Sequence, residues 1–311
     1  MKVVITGASG FLGRELLRQA RTNDELEIVA VTSRSEFIAD HFGVRAIDGE
    51  SFAMRDSLMR NADVLLNCAF PRSEDPLVMA SGMRYLEKIA RSVNDLEFGS
   101  VINVSSQSVY SQFRGQPATE RTEICLESKY SVAKYATEML FDSYCLNIPC
   151  THIRLASLIG VCFDQRLPNK LAKKMCRRER VTIHDEGQRY GYMDVRDAAS
   201  ALLRLVLSDS KEWCHEYVLG SKGACSISEI ASISQRLVGR LSGVDPDVFI
   251  SVSPVDRRLN TEVDASLFYR SFDWLPQHSA EDSIEEIAVH AVRAWNKEMG
   301  GGAYMTDSIV S

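Results

Sequence analysis

The sequence lacks an apolar run long enough to cross a bilayer, and it lacks a stripe of Lys and Arg that would follow a nucleic-acid backbone. Acidic side chains outnumber basic ones by 42 to 36, which leaves a net charge of −6. Its eight cysteines form no Cys-x-x-Cys pair and show no Cys/His spacing typical of a metal site. We therefore predict no metal site, no nucleic-acid partner and no membrane partner.

The composition is that of a globular protein, with 45% hydrophobic and 25% charged residues over 311 positions. Several cysteines lie in apolar stretches, where a free thiol behaves as a small hydrophobic side chain, and this favours a reducing compartment. Met1 leads directly into the first predicted strand, which leaves no room for a cleavable signal. We expect a cytoplasmic protein.

A glycine-rich loop is the first motif that carries chemistry. Gly7 and Gly10 lie between a buried strand, Lys2 to Thr6, and an amphipathic helix, Phe11 to Arg21, and Gly13 lies in the first turn of that helix. Such glycines permit a tight turn and a close approach of backbone to a pyrophosphate, and the helix N-terminus attracts the anion. The loop therefore predicts a dinucleotide cofactor. The predicted contacts are Gly7, Gly10, Phe11, Leu12 and Gly13.

The end of the second predicted strand bears on the choice between NAD and NADP. Where an Asp or Glu would bind a ribose 2'-hydroxyl, the sequence has Ser33 followed by Arg34. A carboxylate would repel a 2'-phosphate, whereas a hydroxyl and a guanidinium can bond to it. The pair predicts NADP (NADPH) over NAD, and Asp48 is a candidate contact of the adenine. The alternatives are an ordinary surface arginine and a plain loop aspartate.

Strands and helices alternate as far as residue 160. The predicted strands are Val3 to Thr6, Ile28 to Thr32, Val44 to Ile47, Val64 to Ala69, Val101 to Ser105 and Thr151 to Leu155. This alternation predicts an α/β fold, a doubly wound parallel sheet (Rossmann) with a ligand crevice at the carboxyl ends of its strands.

The alternation of strands and helices becomes less regular after Gly160, which predicts a second region. We expect residues 1–160 to form a dinucleotide-binding Rossmann domain, with parts of 185–220 returning to it. Residues 161–299 are predicted to form mainly a smaller C-terminal substrate-binding lobe. Residues 300–311, which begin with three glycines, are predicted to be a flexible tail.

A helical Tyr-x-x-x-Lys pair supplies the candidate acid and base. Tyr130 and Lys134 lie on one face of a helix, and an ammonium about 5 Å from a phenol favours phenolate by roughly 3 kcal/mol at an effective dielectric of about 20. The phenol can then exchange a proton with a substrate oxygen as a hydride moves. Ser106, just past a predicted strand, is suited to hold the same oxygen. We predict Ser106, Tyr130 and Lys134 as the catalytic residues.

With these motifs the chain resembles the extended short-chain dehydrogenase/reductases that act on nucleotide sugars. The resemblance covers nearly the whole chain and is carried by TGASGFLG (6–13), DVLLNCAF (63–70), NVSSQSVYS (103–111), YSVAKYATE (130–138), IRLASLIG (153–160), GQRYGYMDVRDAASAL (187–202) and EYVLGSKGACSISEIA (216–231). It implies that Ser106 and Tyr130 contact the reacting sugar oxygen, that Lys134 bonds the nicotinamide ribose, and that Ala69 lines the cofactor cleft. The substrate residues that it implies are Ser106, Gln107, Ser157, Arg189 and Tyr190.

Departures from the family pattern narrow the expected activity. Gln107 and Ser108 stand where sugar dehydratases carry an acidic pair, so dehydration is disfavoured. Ser108 also replaces the cysteine of the double epimerase-reductases, which disfavours epimerisation at neighbouring carbons. Ser33 and Arg34 argue for an exchangeable NADPH, and hence for reduction of C4 in a nucleoside-diphosphate 4-keto-6-deoxy sugar. The alternative is an NAD-dependent nucleotide-sugar 4-epimerase.

Two further departures from the family pattern leave more than one class of substrate compatible with the sequence. Ser157 stands where the family often has Asn, and Tyr190 where it often has a diphosphate-binding Arg, although Arg189 is one residue away. A reductase of a non-sugar carbonyl compound is therefore a further alternative. A non-catalytic NADP-binding regulator is another, since this fold also serves such proteins.

Two predicted helices have apolar residues on more than one face. They are Leu77 to Val93 and Tyr130 to Asn147. A helix that covers one face of a sheet needs a single apolar stripe, so the surplus suggests a homodimer through helices 77–93 and 130–147. The resemblance implies the same arrangement. Coverage by the chain's own loops is the alternative.

Overall fold

The structure, a computed structural model, describes residues 1–253 and 255–299. Its strands are β1 (Lys2–Thr6), β2 (Glu27–Val31), β3 (Arg45–Ile47), β4 (Val64–Asn67), β5 (Ser100–Ser106), β6 (Cys150–Leu155), β7 (Ser157–Ile159), β8 (Val181–Asp185), β9 (Arg189–Tyr190), β10 (Tyr192–Asp194), β11 (Glu216–Leu219), β12 (Cys225–Ser226) and β13 (Val248–Val252). Its α-helices are α1 (Phe11–Ala20), α2 (Ser35–Phe42), α3 (Ser51–Met54), α4 (Pro76–Asp95), α5 (Lys129–Tyr144), α6 (Leu167–Cys176), α7 (Val195–Val206), α8 (Ile227–Ser242), α9 (Ser266–Phe272) and α10 (Ala280–Glu298).

Seven strands form one sheet in the order β11-β6-β5-β4-β1-β2-β3. Each neighbouring pair is parallel. The strand order reverses direction at β1 and β4, and the carboxyl ends of strands at such a point open a crevice. The predicted doubly wound parallel sheet is therefore confirmed.

Both faces of the sheet are covered by helices, as the alternation of side chains along β1 shows. Ile5 belongs to one core, together with Leu16 of α1 and Leu202 of α7. Val4 belongs to the other core, together with Leu86 of α4. Because both faces are buried, the strands consist of nearly continuous apolar runs.

The chain divides into two compact units. The first comprises Met1–Leu158, Gly191–Ala224 and Asn260–Gln277 and contains the seven-stranded sheet. Among the described residues, the second comprises Ile159–Tyr190, Cys225–Leu259 and residues 278–299. In the second unit α6, α8 and α10 pack on one another, β8 pairs with β13 in parallel, and β9 pairs with β12 antiparallel.

Two of the remaining predictions concern the tail and the membrane. The predicted flexible tail, residues 300–311, lies outside the described residues. Within the described part of the chain, no helix combines the length and the apolar character that a bilayer span requires.

Candidate active site

The glycine loop between β1 and α1 leaves no room for side chains. Gly7 has a φ of +65°, and a Cβ there would lie 2.8 Å from the backbone nitrogen of Ala69. A Cβ at Gly13 would lie 2.3 Å from the carbonyl oxygen of Gly7, so α1 packs directly on the loop backbone. Gly10, the cap residue of α1, has no side chain to bond the first N–H groups of the helix. The loop therefore offers bare backbone and a helix N-terminus to an anion.

A cleft of about 730 Å³ opens beside this loop, where β1, β2, β3 and β4 end. It is lined by Gly7, Ser9, Gly10, Val31, Thr32, Ser33, Asp48, Gly49, Glu50, Cys68, Ala69, Phe70, Pro71, Gly82, Tyr85 and Leu86. Among the predicted cofactor residues, the cleft brings together Gly7, Gly10, Ser33, Asp48 and Ala69. The volume lies in the range of cofactor pockets, and together with the bare glycine loop it fits a dinucleotide.

The chain at the predicted cofactor-selecting position is ordered by Thr32. Its hydroxyl donates to Ser9 Oγ over 2.7 Å and accepts from the backbone N–H of Arg34 over 3.2 Å. Ser33 lines the cleft, and Arg34 is an exposed side chain immediately before α2. The structure thus brings Ser33 to the cleft and places Arg34 next to it in the chain.

The cleft also contains the carboxylate of Glu50, which sequence reasoning missed. The predicted residue Asp48 accepts, through Oδ1, from the backbone N–H of Glu50 over 2.7 Å, and both residues line the cleft. Burial, together with the charges of Asp48 and Glu50, raises the pKa of the neighbouring Tyr85 to about 12. Tyr85 is therefore a phenol at neutral pH and can donate a hydrogen bond in the cleft.

The start of α5 is fixed by a capping box, and this sets the positions of Tyr130 and Lys134, the predicted catalytic pair. Ser128 Oγ accepts from the backbone N–H of Ser131, and Ser131 Oγ accepts from the backbone N–H of Ser128, both over 3.0 Å. Tyr130 therefore lies in the first turn of α5, and Lys134 lies one turn later on the same face.

Phe70, which lines the cleft, contacts both Tyr130 and Lys134, the predicted catalytic pair. The Phe70 ring meets the Tyr130 ring edge to face, with centroids 5.3 Å apart, and Lys134 Nζ lies 4.1 Å from the Phe70 centroid. Lys134 Nζ also donates to the carbonyl oxygen of Val104 over 2.8 Å. Burial lowers the pKa of Lys134, and the charge of Tyr130 opposes this shift. Any negative charge on the phenol of Tyr130 therefore stabilises the ammonium form of Lys134.

Ser106 ends β5 and caps the 3₁₀ turn Gln107–Val109. Its Oγ accepts from the backbone N–H of Ser108 over 3.2 Å. Because the oxygen serves the backbone as an acceptor, the hydroxyl hydrogen is left to be donated to another oxygen. This matches the predicted task of holding a substrate oxygen.

A buried ion pair supports these elements, and sequence reasoning missed it. Arg154 in β6 donates to Glu138 on α5, with Nη2 2.9 Å from Oε2, and to the hydroxyl of Tyr110 over 3.0 Å. Ser105 Oγ donates to Glu138 as well. Burial lowers the pKa of Arg154, but the bonds and charge of Glu138 raise it more. The pair connects α5, β6 and the end of β5.

The predicted substrate residue Gln107 has a buried side chain with partners of its own. Arg114 Nη2 donates to Gln107 Oε1 over 2.9 Å, and Gln107 Nε2 donates to Gln112 Oε1 over 3.1 Å. Burial lowers the pKa of Arg114 to about 10. Ser157 is half-buried at the start of β7. Substrate contacts by Gln107 and Ser157 stay predictions.

The remaining predicted substrate residues lie in the second unit. Arg189 and Tyr190 form β9, where Arg189 is opposite Ser226 and Tyr190 is opposite Cys225. Arg189 is exposed and Tyr190 is half-buried, and burial raises the pKa of Tyr190. Their contacts with a substrate also stay predictions.

Comparison with known proteins shows which family and which relatives the chain resembles. The profile of the NAD dependent epimerase/dehydratase family matches residues 3–220. The low-salt glycan biosynthesis protein Agl12 of Haloferax volcanii is 20% identical over 307 residues, covering 92% of this chain and 96% of the relative. The dTDP-4-dehydro-6-deoxy-D-allose reductase of a Streptomyces species is 23% identical over 317 residues, covering 92% of this chain and 94% of the relative.

A solved structure shares the fold. The crystal structure of UDP-glucuronic acid 4-epimerase from Bacillus cereus, in complex with UDP-glucuronic acid and NAD, matches with a TM-score of 0.79 and 19% identity. The match covers 94% of this chain and 100% of that chain. The likeness extends over both units of the chain.

Proposed function

The chain belongs to the NAD dependent epimerase/dehydratase family, a family of NAD(P)-dependent enzymes, and on this premise we propose that it catalyses a net reduction. The proposed reaction transfers a hydride from NADPH to C4 of a nucleoside-diphosphate 4-keto-6-deoxy sugar. The observation that carries the proposal is the contact of Phe70, a cleft residue, with both Tyr130 and Lys134. The name of the Streptomyces relative, a dTDP-4-dehydro-6-deoxy-D-allose reductase, supports the choice of substrate.

The chain's own residues have distinct tasks in this reaction. The bound cofactor would supply a hydride to the keto carbon. Tyr130 donates its phenol proton to the carbonyl oxygen as negative charge develops there. Ser106 donates its hydroxyl hydrogen to the same oxygen, since its Oγ already accepts from Ser108. Lys134 stabilises the phenolate that remains, because its charge lies one helical turn away.

The proposed preference for NADPH depends on the end of β2. Ser33 lines the cleft and Arg34 follows it, so a hydroxyl and a guanidinium are at hand for a 2'-phosphate. The loop around Gly7, Gly10 and Gly13 would hold the pyrophosphate against bare backbone. Asp48 and Glu50 place negative charge in the same cleft, so a direct comparison of the two cofactors tests this half of the proposal.

The test uses the purified full chain with dTDP- and UDP-linked 4-keto-6-deoxy sugars and follows the loss of NADPH absorbance. We expect one NADPH to be oxidised per sugar, with a higher kcat/KM for NADPH than for NADH. Tyr130→Phe should lower kcat about a hundredfold or more while NADPH binding survives, because only the proton donor is lost. Tyr135→Phe, a tyrosine variant on the same helix, is the matched control and should leave kcat unchanged.

Four results would contradict the proposal. Near-normal turnover of Tyr130→Phe would remove the assigned acid. Tightly held NAD with interconversion of nucleotide sugars, and no net loss of NADPH, would indicate a 4-epimerase. NADPH binding without turnover on any carbonyl compound would indicate a regulator, and turnover on non-sugar carbonyls alone would change the substrate class.

A further inference from the structure

Three potential metal ligands meet in the first unit, away from the catalytic pair. Asp142 lies on α5, His152 in β6, and His215 directly before β11. Asp142 Oδ1 is 2.9 Å from the Nε2 atom of each histidine, and the three ligand atoms lie within 4.8 Å of one another. Asp142 follows Tyr130 by about 18 Å along the axis of α5, at about 1.5 Å per residue. The cluster is therefore separate from the proposed reaction centre.

The backbone holds the two histidines together. β6 and β11 are neighbouring parallel strands, and the backbone N–H of His152 donates to the carbonyl oxygen of His215 over 2.9 Å. Their rings meet edge to face with centroids 5.1 Å apart. The spacing of the ligand atoms is thus set by a strand pair and a helix rather than by a loose loop.

His215 is oriented as metal-binding histidines are. Its Nδ1 is 2.6 Å from Glu216 Oε2, so the carboxylate accepts the Nδ1 hydrogen, and Nε2 faces Asp142 Oδ1. A carboxylate on the outer nitrogen is the usual partner of a histidine ligand. An Nε2 that carries a proton donates it to Asp142, and when a metal cation replaces that proton, Nε2 and Asp142 Oδ1 become its ligands.

His152 is completely buried, and its outer nitrogen ends a row of polar side chains across the sheet. Thr6, Asn67, Asn103 and His152 are register partners on adjacent strands. Thr6 donates to Asn67 over 2.6 Å, Asn67 to Asn103 over 2.9 Å, and Asn103 to His152 Nδ1 over 3.1 Å. An amide can turn over and exchange its N and O, so Asn103 can accept from His152 Nδ1 if Asn67 turns over with it and donates to Thr6 Oγ1. In that arrangement His152 Nε2 becomes a ligand.

Two imidazole nitrogens and one carboxylate oxygen form an open three-ligand set. Imidazole favours Zn²⁺ and neighbouring transition metals, whereas Mg²⁺ and Ca²⁺ prefer sites made entirely of oxygen. The side chains of His215 and Asp142 are 58% and 38% exposed, so a cation can enter from solvent and keep a water molecule as a fourth ligand. We propose that Asp142, His152 and His215 bind one divalent transition-metal cation, with Zn²⁺ the best match.

The test titrates chelator-treated full-chain protein with Zn²⁺ by calorimetry and with Co²⁺ by visible spectroscopy. We expect one Zn²⁺ per chain with micromolar or tighter affinity, a rise in melting temperature with Zn²⁺, and the intense Co²⁺ bands of a four- or five-coordinate site. His215→Ala and Asp142→Asn should each weaken binding at least tenfold and remove the bands. Glu216→Gln keeps all three ligands and should weaken binding about 10–100-fold while the bands remain. His184→Ala, an exposed histidine variant in β8, is the control and should bind normally.

Clear outcomes would overturn the proposal. Wild-type protein that binds neither metal would do so, and so would binding that His215→Ala and Asp142→Asn leave unchanged. Charge-transfer bands of sulfur ligation would place the cation on one of the cysteines instead. Because the side chain of His215 is exposed and that of Asp142 is partly exposed, both variants should keep the fold, and circular dichroism of each variant checks this.

Discussion

Lys134 is a charged side chain in surroundings that disfavour charge. It is 6% exposed, and burial lowers its pKa from the ordinary value of 10.5. Below the lowered pKa the folded and unfolded chains both carry the proton, so the full cost of burying the ammonium opposes folding. As pH rises from the lowered pKa toward 10.5, the folded state loses its proton first, and this cost declines.

Replacement of this charge should therefore stabilise the protein. We expect Lys134→Met to raise the melting temperature of the cofactor-free protein at neutral pH by roughly 2 °C, while turnover is lost. The difference from wild type should narrow as pH approaches 10.5. Thermal unfolding over a pH series measures both effects. Lys129→Met, an exposed lysine variant on the same helix, should change neither, and a Lys134→Met protein less stable than wild type at neutral pH would refute the argument.

Residues with a local signal were predictable, and residues that depend on distant partners were not. Gly7, Ser33 and Ala69 each follow a recognisable strand, and the structure brings all three to one cleft. Arg154 has no such signal, because its partner Glu138 lies on another element, 16 residues away in sequence. Glu50 was missed for a related reason, since only the fold of its loop turns it toward the cleft.

On the scale of elements, α5 has polar residues on the face that it turns toward the sheet. Tyr130, Lys134, Glu138 and Asp142 recur every four residues, which keeps them on nearly one side of the helix. Lys134 and Glu138 are buried, and each has a partner in β5 or β6. Polar bonds, together with the apolar packing of Phe141, therefore fix the position of this helix against the sheet.

The Arg154–Glu138 pair should consequently affect turnover as well as stability. Arg154→Lys keeps the charge but cannot bond Glu138 and Tyr110 together, so we expect a loss of about 1–3 kcal/mol in unfolding free energy. A shift of α5 relative to Ser106 should also lower kcat about tenfold with little change in KM. Denaturant unfolding and steady-state kinetics measure these effects. Arg91→Lys on α4, an exposed arginine, serves as control, and unchanged kcat in Arg154→Lys would show that the pair does not position α5.

Strands within the regular alternation of strands and helices were predictable, and later short strands were not. The six predicted strands match β1 to β6, and the three helices predicted with bounds match α1, α4 and α5, to within a few residues at each end. The four-residue β11, which completes the sheet, was not among the predicted strands. β3 and β4 are as short but lie in the regular alternation, whereas β11 follows the less regular region and is identified by its pairing with β6.

On the scale of the whole molecule, α4 and α5 pack together and expose apolar side chains. Leu77 is 80% exposed and Met139 is 59% exposed, and Val78 and Val132 are exposed as well. Within the described part of the chain, no loop covers these four side chains. We propose that a second copy of the chain covers them and that the protein is a homodimer through these two helices.

A charge placed on this surface should separate the copies. We expect Met139→Glu to weaken dimerisation at least tenfold, because the carboxylate would be buried without a partner. Light scattering across a concentration series measures the change. Val252→Glu, at an equally exposed apolar position on β13, is the control and should remain dimeric. Wild-type protein that is monomeric at micromolar concentration would contradict the proposal.

The row of Thr6, Asn67, Asn103 and His152 has a consequence for folding. Apolar strands can slide past one another by two residues with little loss, because one hydrocarbon side chain replaces another. Here a two-residue slip would separate the bonded side chains, at a cost of about 1–3 kcal/mol for every polar group left unsatisfied. Slippage of β4 or β5 would break two of the three junctions at once. The row therefore favours the observed register of the four middle strands over registers shifted by two residues.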